Sequence, residues 1–167
     1  SYARKGDTAF ETLDLRDVVS AALTMMEPQL KRRHVAVTRS MPRRPVPVRG
    51  DRLRLEQVLV NLFRNALDAT KDCPAPQVDL ILSLGETATL TVRDNGHGIA
   101  DLEALFEPFY TTKEPGDGVG LGLAISSGIV NDHGGRLTAR NARDGGAVFE
   151  VRLPVAEAPE TEIRAAE

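Results

Sequence analysis

The chain has 167 residues, 41% of them hydrophobic, with 21 basic against 24 acidic side chains and a net charge of −3. That composition suits one globular domain with a real core, and its balanced charge gives no global field to attract nucleic acid. A single cysteine, Cys73, excludes an internal disulfide, and the longest uncharged run, residues 118–131, is too short and glycine-rich to span a bilayer.

Residues 1–12 (SYARKGDTAFET) show no periodicity and read as a linker entering a short strand. Leu15, Val18, Val19, Ala22, Leu23 and Met26 then recur at helical spacing behind Asp14, a suitable N-cap. The basic cluster Lys31, Arg32, Arg33, Arg39, Arg43 and Arg44 is explained more simply by a helix C-terminus and a solvated loop than by a binding patch. HVAVTRSMP, beginning at His34, alternates as a strand and gives way to the proline-rich MPRRPVPV.

The most informative stretch is residues 51–72. Leu55, Val58, Leu59, Leu62, Ala66 and Ala69 define the apolar face of a helix. Gln57, Asn61, Arg64, Asn65 and Asp68 form a second stripe, bordered by Val58 and Ala69 on one side and by Leu53, Val60 and Leu67 on the other. A polar seam with apolar borders suggests a pocket wall, a solvated face being the plainer alternative. Asparagine is a mediocre helix former, so two at i and i+4 call for a reason.

QVDLILSL places Val78, Leu80, Leu82 and Leu84 on one face, and Gly85 and Glu86 turn it into TATLTVRD, a β-hairpin. Leu90 and Val92 share a parity that also points Asp94 inward at the start of DNGHGI. A covered carboxylate requires hydrogen-bond donors, and the amino group of a purine is a suitable one. Asp-Asn-Gly is equally an ordinary turn, and Gly96 and Gly98 either admit a ligand close to the backbone or supply positive φ angles.

ADLEALFEPFY (100–110) reads as a short helix stopped by Pro108, with Phe106 and Phe109 on one side, followed by a mobile loop over 111–119. Gly118, Gly120 and Gly122 precede a helix whose apolar residues are Leu123, Ile125, Ile129 and Val130. Backbone N–H groups at such a start can hold phosphate, although the segment matches neither a P-loop nor a Rossmann fingerprint. His133, Gly134 and Gly135 end that helix. RLTARNAR and GAVFEVRLPV, the latter with Ala147, Phe149, Val151 and Leu153 on one face, form a last hairpin around Asp144 and Gly145. The acidic, Ala-rich tail from Glu157 reads as disordered.

NLFRNA, DNGHGI, LFEPFYTTK and GVGLGLAIS followed by HGG stand in one order and resemble the N, G1, F and G2 boxes of sensor histidine kinases. The ATP-binding domain of those kinases shares a superfamily with gyrase, the Hsp90 chaperones and MutL, and the resemblance covers about residues 10–155. PFYTTK and the short lid are most similar to the nitrogen-regulation and dicarboxylate sensors. The resemblance implies a two-layer α/β sandwich of the Bergerat type, with a mixed sheet of about five strands and three main helices on one face. It implies a catalytic domain over 13–155, a linker over 1–12 from an upstream dimerisation and phosphoacceptor hairpin lying outside this chain, and a disordered tail over 156–167.

The same resemblance implies ATP with Mg²⁺. Asn65 would be the metal ligand, with Asn61 assisting at the metal or phosphates. Asp94 would accept from the adenine amino group, Gly98 would line the adenine pocket, and Gly96 and Ile99 would belong to the same nucleotide-binding set. Residues 110–119 would form a lid in which Thr112 and Lys113 reach phosphate and Phe106 and Phe109 act as anchors. Gly118, Gly120 and Gly122 would hold the phosphates at the helix start, Arg64 would also reach phosphate, and Val119, Leu121, Leu123 and Asp68 would complete the nucleotide-binding set. Asn61, Asn65 and Lys113 form the implied catalytic set.

Hydrolytic relatives carry a glutamate one turn before the metal ligand, where it activates water; here that position is Asn61, which cannot act as a base. His34, on a strand, His97, in the DNGHGI turn, and His133, at a helix end, all lack the context of a phosphoacceptor. The expectation is therefore the ATP-binding domain of a two-component protein-histidine kinase, nearly inactive alone. It would pass the γ-phosphoryl to a histidine of a separate dimerisation domain and then to a response-regulator aspartate. The parent protein would be a homodimer, open to membrane anchoring, with this segment cytoplasmic. An anti-sigma-type serine kinase, and a nucleotide-binding interaction module or ATPase clamp, are the alternatives.

Overall fold

Alternation in the strands and three- and four-residue spacing in the helices give each element one apolar face, and the fold buries those faces against each other. The computed structural model describes residues 9–108, 110 and 121–157. In chain order the elements are β1 (Glu11–Asp14), α1 (Leu15–Arg32), β2 (Ala36–Ser40), β3 (Pro47–Gly50) and α2 (Arg52–Ala69). β4 (Gln77–Leu84), β5 (Thr87–Asp94), α3 (Gly122–Asp132), β6 (Arg136–Asn141) and β7 (Ala147–Pro154) follow.

Five strands form one mixed sheet in the order β2-β4-β5-β7-β6, with β2 parallel to β4 and the other pairs antiparallel. The expected strand count and the three-helix layer are both borne out. Inward residues Val78, Leu80, Leu82, Leu90, Val92, Val151 and Leu153 are buried beneath the helices. Their outward neighbours Gln77, Ile81 and Ser83 are exposed. α2 packs between α1 and α3 and brings the fully buried Leu62 and Phe63 to the core; burying each large apolar side chain stabilises by about 1.5–3 kcal/mol.

Four local expectations are corrected. The proline-rich stretch after β2 contains β3, which pairs with β1 as a separate two-stranded sheet. Prolines are tolerated there because Pro47 lies at the end of the pairing, opposite Asp14. Glu11 and Thr12, assigned to the linker, already belong to β1. His34 occupies a turn at φ +54 between α1 and β2 rather than a strand position.

The helix expected over 100–110 is a run of turns. Asp101 Oδ1 accepts from the Glu103 and Ala104 N–H groups, and Glu107 N and Tyr110 N donate to carbonyls three residues back. So few residues before Pro108 cannot offset the cost of helix nucleation.

Candidate functional site

α2 is fixed at both ends. Asp51 caps it by accepting from Leu53 N at 3.1 Å and Arg54 N at 3.3 Å. Arg54 pairs with Asp132 at 2.6 Å, and the Asp51 N–H donates to His133 Nε2 at 3.0 Å, so the start of α2 is tied to the end of α3. His133 is buried, and its Nδ1 donates to Ile129 O at 2.7 Å while its ring stacks on Phe10 with centroids 4.6 Å apart. It is a structural residue, as its sequence context suggests.

With α2 held in this way, its polar seam meets two glycine-bearing segments. Asn61 Nδ2 donates to Ser126 Oγ at 3.1 Å and to Gly122 O at 3.4 Å, joining mid-α2 to the first turns of α3. At the far end of α2, Ala69 O accepts from His97 N at 3.2 Å, and a Cβ on Gly96 would overlap that same carbonyl. Asn61 and Ala69 are eight residues apart, roughly 12 Å along the axis. Asn65 lies midway, half-buried, and its Nδ2 is buried without a hydrogen-bond partner among the described residues. An orphaned buried amide costs stability, so this one marks a position kept for something other than the fold.

Asp94 closes the site at the Gly96 end. It is 4% exposed, and its Oδ1 accepts from Gly96 N at 2.8 Å and Ala147 N at 3.3 Å. Oδ2 takes no hydrogen bond from any described residue, and it is not among the fully covered atoms left without a partner. One carboxylate oxygen thus orients the group, and the other accepts from no described residue. Burial pushes the carboxyl above its ordinary value of 3.8, against the opposing pull of the Gly96 and Ala147 N–H groups and the nearby His97 ring.

Gly98 takes φ +82, a conformation that favours glycine, and Ile99 packs against the core. Gly96 has a different requirement, the close approach to Ala69. Of the seam residues, Asp68 is half-buried beside Asn65, whereas Gln57 and Arg64 are exposed. Leu53, read as an apolar border, is 75% exposed. In α3, Leu123 packs on the core and Leu121 precedes the first turn, but Ile125 faces outward; Ser126, on the face of Ile129 and Val130, is buried and its hydroxyl accepts from the Asn61 amide. Phe106 packs against the core. Phe109, Thr112, Lys113, Gly118, Val119 and Gly120 lie outside the described residues.

Three residues escaped the sequence reading. Ser126 and Asn141 both hold parts of the site, and Asn95 anchors the same loop by accepting from Gln77 N at 2.8 Å and donating to Ala75 O at 2.9 Å. Asparagines at strand ends carry a weak signal, since they also suit turns.

The family described as histidine kinase-, DNA gyrase B- and HSP90-like ATPases matches residues 50–157, which include every residue of this site. The chain belongs to that ATPase family. Among its relatives are the C4-dicarboxylate transport sensor proteins DctB of Pseudomonas aeruginosa, 37% identical over 99% of this chain, and of Rhizobium meliloti, 44% identical over 91%. The chain spans 28% and 24% of the lengths of those two proteins. The catalytic domain of histidine kinase ThkA superposes with a TM-score of 0.78 at 26% identity, covering 89% of this chain and 99% of that domain. A second ThkA structure, the kinase in complex with response regulator protein TrrA, gives 0.75 at 25% identity over 88% of this chain and 42% of that one. This ATPase-family domain is therefore of the sensor-histidine-kinase type in sequence and in fold.

Among the described residues no cluster of three or more His, Cys, Asp or Glu side chains could hold a metal ion, so a cation here would be held chiefly by phosphate oxygens; the unpartnered Asn65 Nδ2 is a donor that suits phosphate, and only Oδ1 of that side chain could face the ion. No described helix is long and apolar enough to cross a membrane.

Proposed function

We propose that this chain is the ATP-binding catalytic domain of a two-component protein-histidine kinase. In this reading it spans residues 13–155 and presents Mg²⁺-ATP to a phosphoacceptor histidine on a separate dimerisation domain, with a response-regulator aspartate as the next acceptor. One observation carries the reading: a single helix touches the start of α3 through Asn61 and the Asp94–Ile99 turn through Ala69, with Asn65 between, its Nδ2 unpartnered among the described residues.

The chemistry asked of the chain is placement. Asp94 Oδ2 accepts from the exocyclic amino group of adenine while the Gly96 and Ala147 N–H groups keep the carboxylate in plane. Asn65 supplies its amide oxygen toward the metal and phosphates. The N–H groups at the start of α3 add the favourable end of a helix dipole to phosphate. Bound Mg²⁺ would neutralise charge on the β- and γ-phosphates.

Asn61 is committed by hydrogen bonds to α3 and has no basic atom for a water. Water is therefore left unactivated, and transfer waits for the histidine delivered by another domain. Thr112 and Lys113 supply the expected lid contacts to phosphate, and Arg64, Asp68, Phe109 and the glycines 118 and 120 complete the proposed site. The partner domain, the response regulator, homodimerisation of the parent protein and a cytoplasmic setting belong to the same proposal. Similarity to the DctB sensors and to a kinase solved with its response regulator supports it.

The deciding experiment titrates the chain with ADP and a non-hydrolysable ATP analogue, with and without Mg²⁺, then adds a phosphoacceptor hairpin and γ-labelled ATP. Nucleotide binding with acid-labile label on the hairpin histidine is the expected result. Label on serine would replace the reading with a serine kinase, and absence of nucleotide binding would overturn it.

A further inference from the structure

The β6–β7 hairpin grips the Asp94–Ile99 segment at two points on one rung. Asn141 and Ala147 face each other across the hairpin. Ala147 donates its N–H to Asp94 Oδ1 at 3.3 Å. Asn141 holds the backbone of Ile99 from both sides: its Oδ1 accepts from the Ile99 N–H at 2.7 Å, and its Nδ2 donates to the Ile99 carbonyl at 3.0 Å. Its Oδ1 also lies 2.9 Å from where a Cβ on Gly98 would stand, so it packs against the glycine that takes φ +82.

We infer that Asn141 is a positioning residue for adenine recognition, holding Gly98 and Ile99 where the base is to pack without itself touching the nucleotide. The inference rests on the proposed function. Only an amide offers one donor and one acceptor in a short fork, which is what the N–H and C=O of a single residue require; a carboxylate offers two acceptors and a methyl group neither. The start of the segment has its own supports, from Asn95 to Gln77 and Ala75 and from His97 N to Ala69 O. Loss of the Asn141 grip therefore loosens the Gly98–Ile99 end, where the local contact of His97 Nδ1 with Gly98 O at 2.7 Å does not tie it to another element, while the fold persists. Re-ordering that end then appears as a cost of binding.

Calorimetric titration with ADP of the wild-type chain, Asn141→Ala, Asn141→Asp and Arg140→Ala, each with and without Mg²⁺ and alongside thermal unfolding, tests this. Asn141→Ala is expected to weaken ADP about tenfold, or about 1.4 kcal/mol. That loss should be equal with and without Mg²⁺, because it arises at the base and not at the phosphates. Asn141→Asp should lose at least as much, since it turns an acceptor toward the Ile99 carbonyl, and it carries the comparison if the alanine variant does not fold. Arg140→Ala, the exposed neighbour, should bind as the wild type does.

Wild-type binding with unchanged affinity in Asn141→Ala, even at a lowered Tm, would overturn the inference alone. A loss confined to the Mg²⁺-dependent part of the affinity would overturn it too. No ADP binding by the wild-type chain would overturn the proposed function itself.

Discussion

Replacing Asp94 by asparagine separates what this carboxylate does for the ligand from what it does to the fold. The side chain is 4% exposed and nearly isosteric with asparagine, whose Oδ1 can still accept from Gly96 N and Ala147 N. What changes is the charge, and the atom offered to the ligand becomes an NH₂ group facing the adenine amino group, donor against donor. A charge-assisted hydrogen bond contributes about 1.5–3 kcal/mol, so ADP affinity should fall about tenfold to a hundredfold.

Stability should move the other way. Burial raises the folded-state pKa of Asp94 above the unfolded value of 3.8, so the native state binds this proton more tightly. The stability it contributes is complete below the unfolded pKa and is lost as pH rises through the folded one. At neutral pH the ionised carboxylate therefore costs the nucleotide-free protein stability, and the neutral amide of the variant removes that cost. Thermal unfolding without nucleotide should show Asp94→Asn equal to or above the wild type at pH 7, with a flatter dependence on pH between the two pKa values. At an ADP concentration of about one hundred times the wild-type Kd, ligand-induced stabilisation should drop from about 2.7 kcal/mol to about 1.4 kcal/mol for a tenfold loss. Affinity within about twofold of the wild type, about 0.4 kcal/mol, would refute the adenine role. A fall in nucleotide-free stability would refute the argument from burial.

Three further outcomes follow from the same geometry. Asn65→Ala should abolish the Mg²⁺-dependent increment in ADP affinity while leaving metal-free binding nearly intact, and a retained increment on titration would remove Asn65 from the metal. Gly96→Ala places a methyl group against the Ala69 carbonyl, which must move; overpacking of this kind costs about 1–3 kcal/mol, read by denaturant unfolding as a lowered midpoint at constant slope. His133→Ala deletes a buried ring that stacks on Phe10 and leaves the Asp51 N–H unpaired, so a loss of about 2–4 kcal/mol is expected. An unchanged Tm would show that the α2–α3 tie is dispensable.

Much of the site was legible because local chemistry fixed it. The period of 51–72 made a helix in any context, and that helix carries Asn61 and Asn65 at i and i+4 on one side. Strand parity alone turned Asp94 inward behind Leu90 and Val92, and the structure buries it there. The five-strand sheet with its three helices followed from a resemblance in four short motifs whose order survives along the chain.

What stayed hidden depends on partners distant in sequence. Ser126 lies on the buried side of α3 with Ile129 and Val130, but that its hydroxyl meets an asparagine 65 residues away is not contained in α3. Asn141 reaches Ile99 across 42 positions, and β3 exists only because β1 lies beside it. The failed helix over 100–110 and the unexpected strand share a cause, since both are short segments whose weak propensities give way to tertiary contacts. The sequence by itself determined the periodic elements and the residue types of the site. The tertiary structure decided that the Asn61 amide joins α2 to α3 and that Asn65 Nδ2 finds no partner among the described residues, because a hydrogen bond between distant residues exists only once the chain has folded.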